Sequence, residues 1–367
     1  MARIAILLPS FTVGGAETQA LLLSDYLVGR GHEVMLINCS QGPNHLDKSL
    51  LNAAVVCKNH PVHFQDILHL KPRATRSILS LSRKLFRYKI DVVIPFTLVP
   101  NVLGNLAAGF AGTRLRIWNQ RSVDIVDFGR GERLARRWTH QIIGNSNYVI
   151  EKLQERWGDK IKTPCKTIYN GRRPSQGPTN QTCPSLKKAP DSMLSILHLA
   201  SFFEEKDFTT LIKALSIVIE RGLNAHLHLV GRNPGGTTWQ ACHDLVSELA
   251  LKNHVFFYGA INSPQGCIRD ADLCVLSTTS EGLSNTLIEY ALAEKPTLTT
   301  NIPPNIELFG SHHKGFFQVG NHAQLANLIE AQGQKKHNQN FVPTLNVPID
   351  TAVMGDAFHQ IIIAHLL

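Results

Sequence analysis

The chain of 367 residues is long enough for two domains with full hydrophobic cores. Its 43% hydrophobic and 18% charged residues are typical of a globular protein and argue against a disordered chain. The seven cysteines include no C-x-x-C pair, which argues against a zinc site and a disulfide scaffold and favours reduced thiols in the cytoplasm.

The formal net charge of +9 is unevenly distributed along the chain. Residues 1–173 hold 25 lysines and arginines against 12 acidic residues, whereas residues 174–367 hold 12 against 16. This asymmetry predicts an anionic partner for the first half. An anionic membrane surface is favoured over a nucleic acid, because no aromatic residues recur at a regular spacing on which bases could stack.

The first elements predict a doubly wound parallel sheet. A strand over Arg3 to Pro9 is followed by a tight loop, a helix over Ala16 to Gly29 and a second strand over Glu33 to Asn38. The loop contains Gly14 and Gly15, which allow a ligand to approach the backbone closely at the start of the helix.

Two segments in the first half raise the question of a membrane. Lys71 to Lys89 predicts a basic amphipathic helix, which either lies on a membrane surface or packs one face on the sheet. Val92 to Thr113 contains no charged residue, but its prolines and asparagines favour a strand and a buried helix over a membrane span. Further along, the segment Asn119-Gln120-Arg121 follows a predicted strand over Arg114 to Trp118.

Residues 172–192 read as a linker between domains, because they are rich in proline and show no hydrophobic periodicity. The alternation of strands and helices resumes at Met193 and continues through the second half.

Asp270-Ala271-Asp272 has the D-x-D pattern of a metal site in a different enzyme fold. Because it lies where a helix runs into a strand, we interpret it as structural.

The stretch from Ser280 to Asn305 carries the strongest functional signal. Glu281 follows a buried strand, and Ser284 and Asn285 are good N-cap residues for the helix that contains Glu289. A helix N-terminus beyond a strand favours a phosphate, and a carboxylate can accept hydrogen bonds from sugar hydroxyls. This pattern fits a ligand with a sugar, a diphosphate and a ribose in line.

The sequence EGLSNTLIEYALAEKPTLTT in this stretch resembles the signature of the group 1 (family 4) retaining, nucleotide-sugar-dependent glycosyltransferases. The resemblance implies an α/β fold of the GT-B type, with two Rossmann-like, doubly wound parallel-sheet domains facing a cleft. Residues 1–171 would form an acceptor-side domain and residues 193–348 a nucleotide-sugar-binding domain. Residues 349–367 would form a helix that crosses back to the first domain.

The resemblance also implies roles for individual residues. Lys206 and the Ser284–Asn285 helix start would bind the donor diphosphate, Glu289 the ribose and Glu281 the transferred sugar. The family pairs this lysine with an arginine, but Ser201 and Phe203 stand where that arginine is expected. The candidate catalytic residues are Lys206 and Glu281, the further candidate donor contacts are Gly14, Gly15, Gly282, Leu283, Ser284, Asn285 and Glu289, and the candidate acceptor-side contact is Arg121.

The implied function is metal-independent transfer of a sugar, as in hexosyltransferases, with retention at the anomeric carbon and without a cofactor. The acceptor would be a glycan or a lipid-linked molecule in cell-surface polysaccharide or glycolipid synthesis, at the cytoplasmic face of a membrane. The leaving phosphate can serve as the base in a same-face displacement, and the sequence assigns no other base. Two alternatives remain open, a non-catalytic protein that binds a sugar nucleotide or glycan, and a sugar-nucleotide epimerase.

Overall fold

The computed structural model describes residues 1–12, 14–41, 52–123, 129–158, 162–172, 193–261, 264–334 and 341–366. The chain forms two compact units, of which the first comprises Met1–Pro174 with Pro348–Leu367 and the second Ser175–Val347. Most of the predicted linker, residues 173–192, lies outside the described residues.

The first unit is built on a parallel sheet of short apolar strands, whose order among the described residues is β3-β2-β1-β4-β5-β6-β7. The inner strands are buried on both faces, which explains their continuous apolar runs, whereas all four residues of the edge strand β3 are exposed. The strands are β1 Arg3–Leu8, β2 Glu33–Asn38, β3 Val56–Asn59, β4 Val92–Pro95, β5 Leu115–Gln120, β6 Gln141–Gly144 and β7 Cys165–Thr167. The helices are α1 Gly15–Gly29, α2 Phe64–Leu68, α3 Pro72–Arg87, α4 Leu98–Ala111, α5 Gly129–Arg137 and α6 Asn147–Trp157.

The uncharged segment Val92 to Thr113 forms strand β4 and the buried helix α4, as the sequence predicts. Its asparagines are satisfied internally, since Asn101 Nδ2 donates to the Asn119 carbonyl and Asn105 Nδ2 to the Ile117 carbonyl, both at 3.0 Å. Among the described helices, none combines the length and the apolar character that crossing a bilayer requires.

The second unit repeats this design with a parallel sheet in the order β10-β9-β8-β11-β12-β13. Its strands are β8 Leu194–Leu199, β9 Ala225–Val230, β10 Val255–Phe257, β11 Leu273–Leu276, β12 Thr297–Thr300 and β13 Phe316–Phe317. Its helices are α7 Phe208–Glu220, α8 Thr238–Glu248, α9 Gln265–Asp270, α10 Asn285–Leu292, α11 Pro303–Phe309 and α12 His322–Gly333.

The last helix, α13 (Thr351–Leu366), belongs to the first unit and packs against α1. Gly355 permits this contact, because a Cβ atom there would lie 2.3 Å from the ring of Tyr26. Gln19 on α1 exchanges two hydrogen bonds with the backbone of Gly171, at 2.8 and 3.0 Å. The packing of α13 on α1 holds the last helix on one face of the first sheet.

The cysteines depart from expectation at one position. Among the described cysteines, five are free thiols, and burial raises the pKa of Cys39 and Cys242 to about 12. Cys267, in contrast, is disulfide-bonded, so the prediction of reduced thiols throughout is wrong for this residue. The spacing of the cysteines contains no signal for such pairing, because contact between distant cysteines depends on the fold.

Two histidines in the second unit are buried in their neutral form, and we expect them to make this unit acid-sensitive. Burial lowers the pKa of His198 to about 3 and that of His228 to about 4. An unfolded histidine titrates near 6.5, so the unfolded state binds more protons below that pH. The stabilisation is therefore complete above about pH 6.5 and is lost as the pH falls towards the folded pKa values.

We expect the free energy of unfolding to fall by about 2 kcal/mol per histidine between pH 7.5 and pH 5. Urea unfolding at the two pH values measures this loss. His228→Phe should reduce the loss, because its ring can keep the stacking on Phe256 (5.6 Å between ring centroids) without titrating. Equal unfolding free energies at the two pH values would contradict the expectation.

Candidate functional site

The candidate site lies in the second unit, at the carboxyl ends of β8 and β11. These two strands are neighbours, yet the chain leaves β8 through α7 towards β9 and leaves β11 through α10 towards β12. The strand order therefore reverses between them. In open parallel sheets, ligands bind at such a reversal, outside the carboxyl ends of the strands.

Lys206 and Glu281 form an ion pair at this position. The Lys206 Nζ atom lies 2.5 Å from Glu281 Oε1, and the side chains are 18% and 12% exposed. One residue follows β8 and the other follows β11, so the pair connects the two strand ends. A carboxylate and an ammonium group that are mostly shielded from water interact more strongly with each other and with a charged ligand than exposed groups do.

The backbone around Lys206 is held by the segment that follows β11. Glu204–Lys206 form a short 3-10 helix, whose Glu205 carbonyl accepts hydrogen bonds from the Thr278 hydroxyl at 2.9 Å and the Thr279 N–H at 2.8 Å. The Thr278 carbonyl in turn accepts from the Thr300 hydroxyl on β12, at 2.7 Å. This chain of hydrogen bonds fixes the lysine backbone against the sheet.

Asp207 supports the same segment from the other side. Its φ of 33° lies in the left-handed region, which is unfavourable for residues other than glycine. Its Oδ1 caps α7 by accepting from the Thr210 N–H at 3.3 Å, and its Oδ2 accepts from the Ser277 hydroxyl at 3.1 Å. The side chain thereby compensates for a strained backbone next to Lys206.

We expect Asp207→Ala to lower the free energy of unfolding by about 2 kcal/mol, because it removes the helix cap and keeps the strained backbone. Asp207→Gly should lower it by about 1 kcal/mol or less, since glycine adopts a positive φ freely. Chemical denaturation of both variants measures the difference. Equal losses would show that the backbone conformation contributes nothing.

The N-terminus of α10 lies at the same sheet edge. Ser284 is the N-cap, as the sequence predicts, and its hydroxyl accepts from the Leu287 N–H at 3.3 Å. The Thr286 hydroxyl donates to the Leu199 carbonyl at the end of β8, at 3.2 Å. Buried Gly282 and Leu283 precede the cap, and partly exposed Asn285 begins the helix. The first turn of α10 is therefore anchored to β8, the strand that leads to Lys206.

Glu289 lies on α10 and is partly exposed. Glu289 is the fifth residue of α10, so its position along the helix axis is about 6 Å from that of Asn285, at 1.5 Å per residue. Its neighbour Tyr290 is fully buried and accepts a hydrogen bond on its hydroxyl from the Leu199 N–H at 2.9 Å. The tyrosine fixes the rotation of α10, and this rotation sets the face on which Glu289 lies.

The segment without the expected arginine packs on the loop after β9. The Phe202 N–H donates to the Arg232 carbonyl at 2.9 Å, so the backbone of a basic residue borders this segment. Gly231 makes the approach possible, because a Cβ atom there would lie 1.7 Å from the Ala200 carbonyl oxygen. Phe203 is 39% exposed.

Gly14 and Gly15 belong to the first unit, where they begin α1. The space next to Gly14 is occupied by a side chain of the same helix, since a Cβ atom there would lie 2.4 Å from Glu17 Oε2. Glu17 is buried and accepts from the Ser10 hydroxyl at 2.8 Å. A side chain at position 14 would therefore clash with the Glu17 carboxylate, whereas the role of the two glycines in binding a donor stays a prediction.

Arg121 is buried at the end of β5 in the first unit. Its guanidinium donates to Asn170 Oδ1 and lies 5.4 Å from the ring centroid of Phe96. Burial lowers its pKa to about 9, and its Nη1 atom has no hydrogen-bond partner within the described part of the chain. A buried cation with a spare donor is expected to bind an anion.

Both aspartates of the D-x-D pattern have partners within the second unit. Asp272 accepts a hydrogen bond from the Ser195 N–H at 2.8 Å, and Asp270 pairs with Arg269 at 3.0 Å. Within the described ranges, no group of three histidine, cysteine, aspartate or glutamate side chains is arranged to hold a metal ion.

Two family models match the chain. The model described as Glycosyltransferase Family 4 covers residues 13–176, and the model described as Glycosyl transferases group 1 covers residues 187–340. Together they span most of the sequence and meet near the boundary between the two units. This match confirms the family resemblance that the sequence signature indicates.

Curated relatives match over shorter stretches. A poly(ribitol-phosphate) alpha-N-acetylglucosaminyltransferase of Staphylococcus aureus is 22% identical over 125 residues, which are 34% of this chain and 25% of the relative. An uncharacterized glycosyltransferase of Methanocaldococcus jannaschii is 28% identical over 154 residues, which are 42% of this chain and 32% of the relative. The matched stretches thus span a third or less of these relatives.

Solved structures match over the full length. Anabaena Alr3699/HepE in complex with UDP-glucose has a TM-score of 0.77 and 17% identity, with 99% of this chain and 100% of that chain covered. A mutant of Staphylococcus aureus TarM, in complex with fondaparinux, alpha-GlcNAc-glycerol and UDP, has a TM-score of 0.71 and 11% identity, with 99% of this chain and 97% of that chain covered. These similarities confirm the predicted GT-B fold class.

Proposed function

Because the chain belongs to the group 1, family 4 type of glycosyltransferases, we propose that it transfers a sugar from a nucleotide diphosphate sugar to an acceptor, with retention at the anomeric carbon. The observation that carries this proposal is the meeting of Lys206, Glu281 and the N-terminus of α10 at the strand-order reversal of the second sheet. There a cation, a helix start and a carboxylate can contact the successive parts of one donor molecule.

In the proposed mechanism, Lys206 and the first N–H groups of α10 stabilise the negative charge that develops on the departing diphosphate. Preorganised donors of this kind supply a large part of the catalysis in many enzymes, and here they act without a metal ion or a cofactor. Glu289 binds the ribose hydroxyls and Glu281 the hydroxyls of the transferred sugar. The leaving phosphate takes the proton of the acceptor, so the reaction needs no separate base.

The Lys206–Glu281 ion pair also implies an exchange of partners on donor binding. Lys206 would turn part of its hydrogen bonding from Glu281 to the diphosphate, and Glu281 would turn to the sugar. The two groups hold each other in place before the donor binds, which lowers the conformational entropy that binding removes.

We further propose that the acceptor is a glycan or a lipid-linked molecule of cell-surface polysaccharide or glycolipid synthesis, and that Arg121 contacts its anionic part. UDP and UDP-glucose in HepE, and the glycan-like and glycerol-linked ligands in TarM, support this class of ligands. The basic first half of the chain supports attachment to the cytoplasmic face of an anionic membrane.

A second function, binding of a sugar nucleotide without catalysis, is favoured by one observation. Ser201 occupies the position at which the family has an arginine on the diphosphate, so the positive charge at the site is reduced.

An epimerase on the same architecture would interconvert sugar nucleotides without any acceptor. A requirement for an acceptor therefore distinguishes a transferase from an epimerase.

A thermal-shift panel of UDP, GDP and ADP sugars tests the proposed donor site. A ligand at 100 times its dissociation constant stabilises the native state by about 2.7 kcal/mol, which is readily measured. We expect one nucleotide class to raise the melting temperature of the wild type and to have a smaller effect on Glu289→Ala. No shift with any sugar nucleotide would contradict the proposal.

A further inference from the structure

A cavity of about 140 Å³ lies in the first unit between β2, β3 and the carboxyl-terminal part of α3. Its apolar lining includes Met35, Ile37 and Leu85, and its polar lining includes three cations, Lys58, Lys84 and Arg87. Among the described residues that line the cavity, none carries a carboxylate. A small cavity with an apolar floor and three cations is suited to a compact anion.

The position of Lys84 is fixed by two acceptors. Its Nζ atom donates to the Asn59 carbonyl at 3.1 Å and contacts His60 Nδ1 at 3.3 Å. His60 Nε2 donates to the Ser77 carbonyl at 3.0 Å, which leaves Nδ1 as the acceptor. An ammonium group has three N–H bonds, so a preorganised cation retains one donor for a ligand.

Lys58 and Arg87 have no acidic partner within ion-pair distance among the described residues. Lys58 Nζ lies 5.9 Å from the ring centroid of Tyr88, which also lines the cavity. The end of α3 contributes about half a negative charge from its dipole. The three cations together carry about three positive charges, which is more than the helix end can neutralise.

The exposed face of α3 has the character of a membrane-binding surface. The helix contains no acidic residue, and Arg73, Arg76 and Arg83 are exposed on it. Two large apolar side chains share the exposed part of the helix, Leu79 at 38% and Phe86 at 73% exposure. Cationic and apolar side chains together on an exposed helix favour the boundary between lipid headgroups and acyl chains.

We propose that this cavity binds the phosphate of an anionic lipid headgroup while Phe86 enters the adjoining membrane surface. The inference rests on the membrane attachment proposed above and assigns it a specific site. Lys84 supplies the fixed contact, and Lys58 and Arg87 close around the phosphate from β3 and α3.

The test uses the full chain in co-sedimentation with phosphatidylcholine vesicles that contain phosphatidylglycerol. Lys58→Glu/Arg87→Glu changes the cavity, and Arg73→Glu/Arg76→Glu changes the charge of α3 by the same amount outside the cavity. Lys162→Glu/Lys166→Glu makes the same change near β7, at the opposite edge of the sheet. Lys58→Gln/Arg87→Gln is a milder cavity variant in case the charge reversal impairs folding.

We expect the cavity variant to bind these vesicles about tenfold more weakly than the α3 charge variant, and the β7 variant to bind like the wild type. Stabilisation by a nucleotide sugar should be unchanged in all three, because the donor site lies in the other unit. If the cavity variant and the α3 charge variant lose vesicle binding equally, the cavity site is overturned, while diffuse membrane attachment stays intact. Failure of the wild type to sediment would overturn both.

Inorganic phosphate separates the two sources of the anion. At constant ionic strength, millimolar phosphate should leave vesicle binding unchanged if the cavity is built for a headgroup at a membrane surface. Displacement from the vesicles, together with thermal stabilisation by phosphate that the cavity variant lacks, would assign the cavity to free phosphate and overturn the lipid assignment.

Discussion

Lys206→Ala should reduce turnover by about a hundredfold or more, the scale observed when one preorganised stabilising donor is removed from an active site. The physical reason is that Lys206 places a positive charge at the strand-order reversal, in an ion pair with Glu281. A helix terminus stabilises a nearby charge by only about 0.3–1 kcal/mol, up to about 2 kcal/mol when partly buried. Helix α10 therefore cannot replace the lysine. Initial rates of nucleotide release measure the loss.

Lys213→Ala provides the matched control, because it removes the same charge from an exposed position on α7. Its turnover should equal that of the wild type. If Lys206→Ala is mild and Arg232→Ala is severe, Arg232 supplies the charge of the missing arginine, and the assignment of Lys206 is wrong. Ser201→Arg is expected to strengthen donor binding if Lys206 acts without such a partner.

Glu289→Ala should weaken binding of the nucleotide sugar by ten- to hundredfold, because the ribose diol loses a charged acceptor worth about 1.5–3 kcal/mol. The melting temperature without ligand should change little, since the side chain is partly exposed and its neighbour Tyr290 maintains the packing of α10. Isothermal titration of the donor measures the affinity. Glu289→Gln keeps the shape and one acceptor oxygen, so its loss should be smaller.

Unchanged donor affinity in a folded Glu289→Ala protein would show that the ribose lies elsewhere. A loss of affinity that is accompanied by an equal loss of stability would indicate a structural role for Glu289. Only the combination of weak binding and a stable fold supports the assignment.

The alternation of buried strands and helices was predictable because it depends on local pattern. Continuous apolar runs predict β8 and β11, and a Ser-Asn pair before an apolar helix predicts the cap at Ser284. The structure places that cap and the helix as the sequence indicates. These strands and the helix cap depend on the hydrophobicity and capping preference of neighbouring residues, which can be read from the sequence.

The contacts that define the site were not predictable in the same way. Lys206 and Glu281 are 75 residues apart, so their ion pair depends on the neighbouring positions of β8 and β11 in the sheet. A positive φ at Asp207 has no local signal, since glycine is the residue usually expected there. The position of the Glu17 carboxylate next to Gly14 was also not predictable from the sequence, because it depends on a side-chain conformation.

The arginine missing at Ser201 makes the choice between enzyme and binder the central question. The packing of Phe202 on the Arg232 backbone identifies one basic residue near the vacant position. A catalytic protein would therefore stabilise the diphosphate through Lys206 by itself or with help from Arg232, and the variants above distinguish these two possibilities.

Nucleotide release from UDP, GDP and ADP sugars, measured with and without extracted glycolipid, tests the account most directly. We predict that one donor class releases its nucleoside diphosphate, that glycolipid accelerates the release, and that Lys206→Ala abolishes most of it. A folded protein that binds a sugar nucleotide but releases no nucleotide from any donor, with or without glycolipid, would contradict the proposal and identify a binding protein.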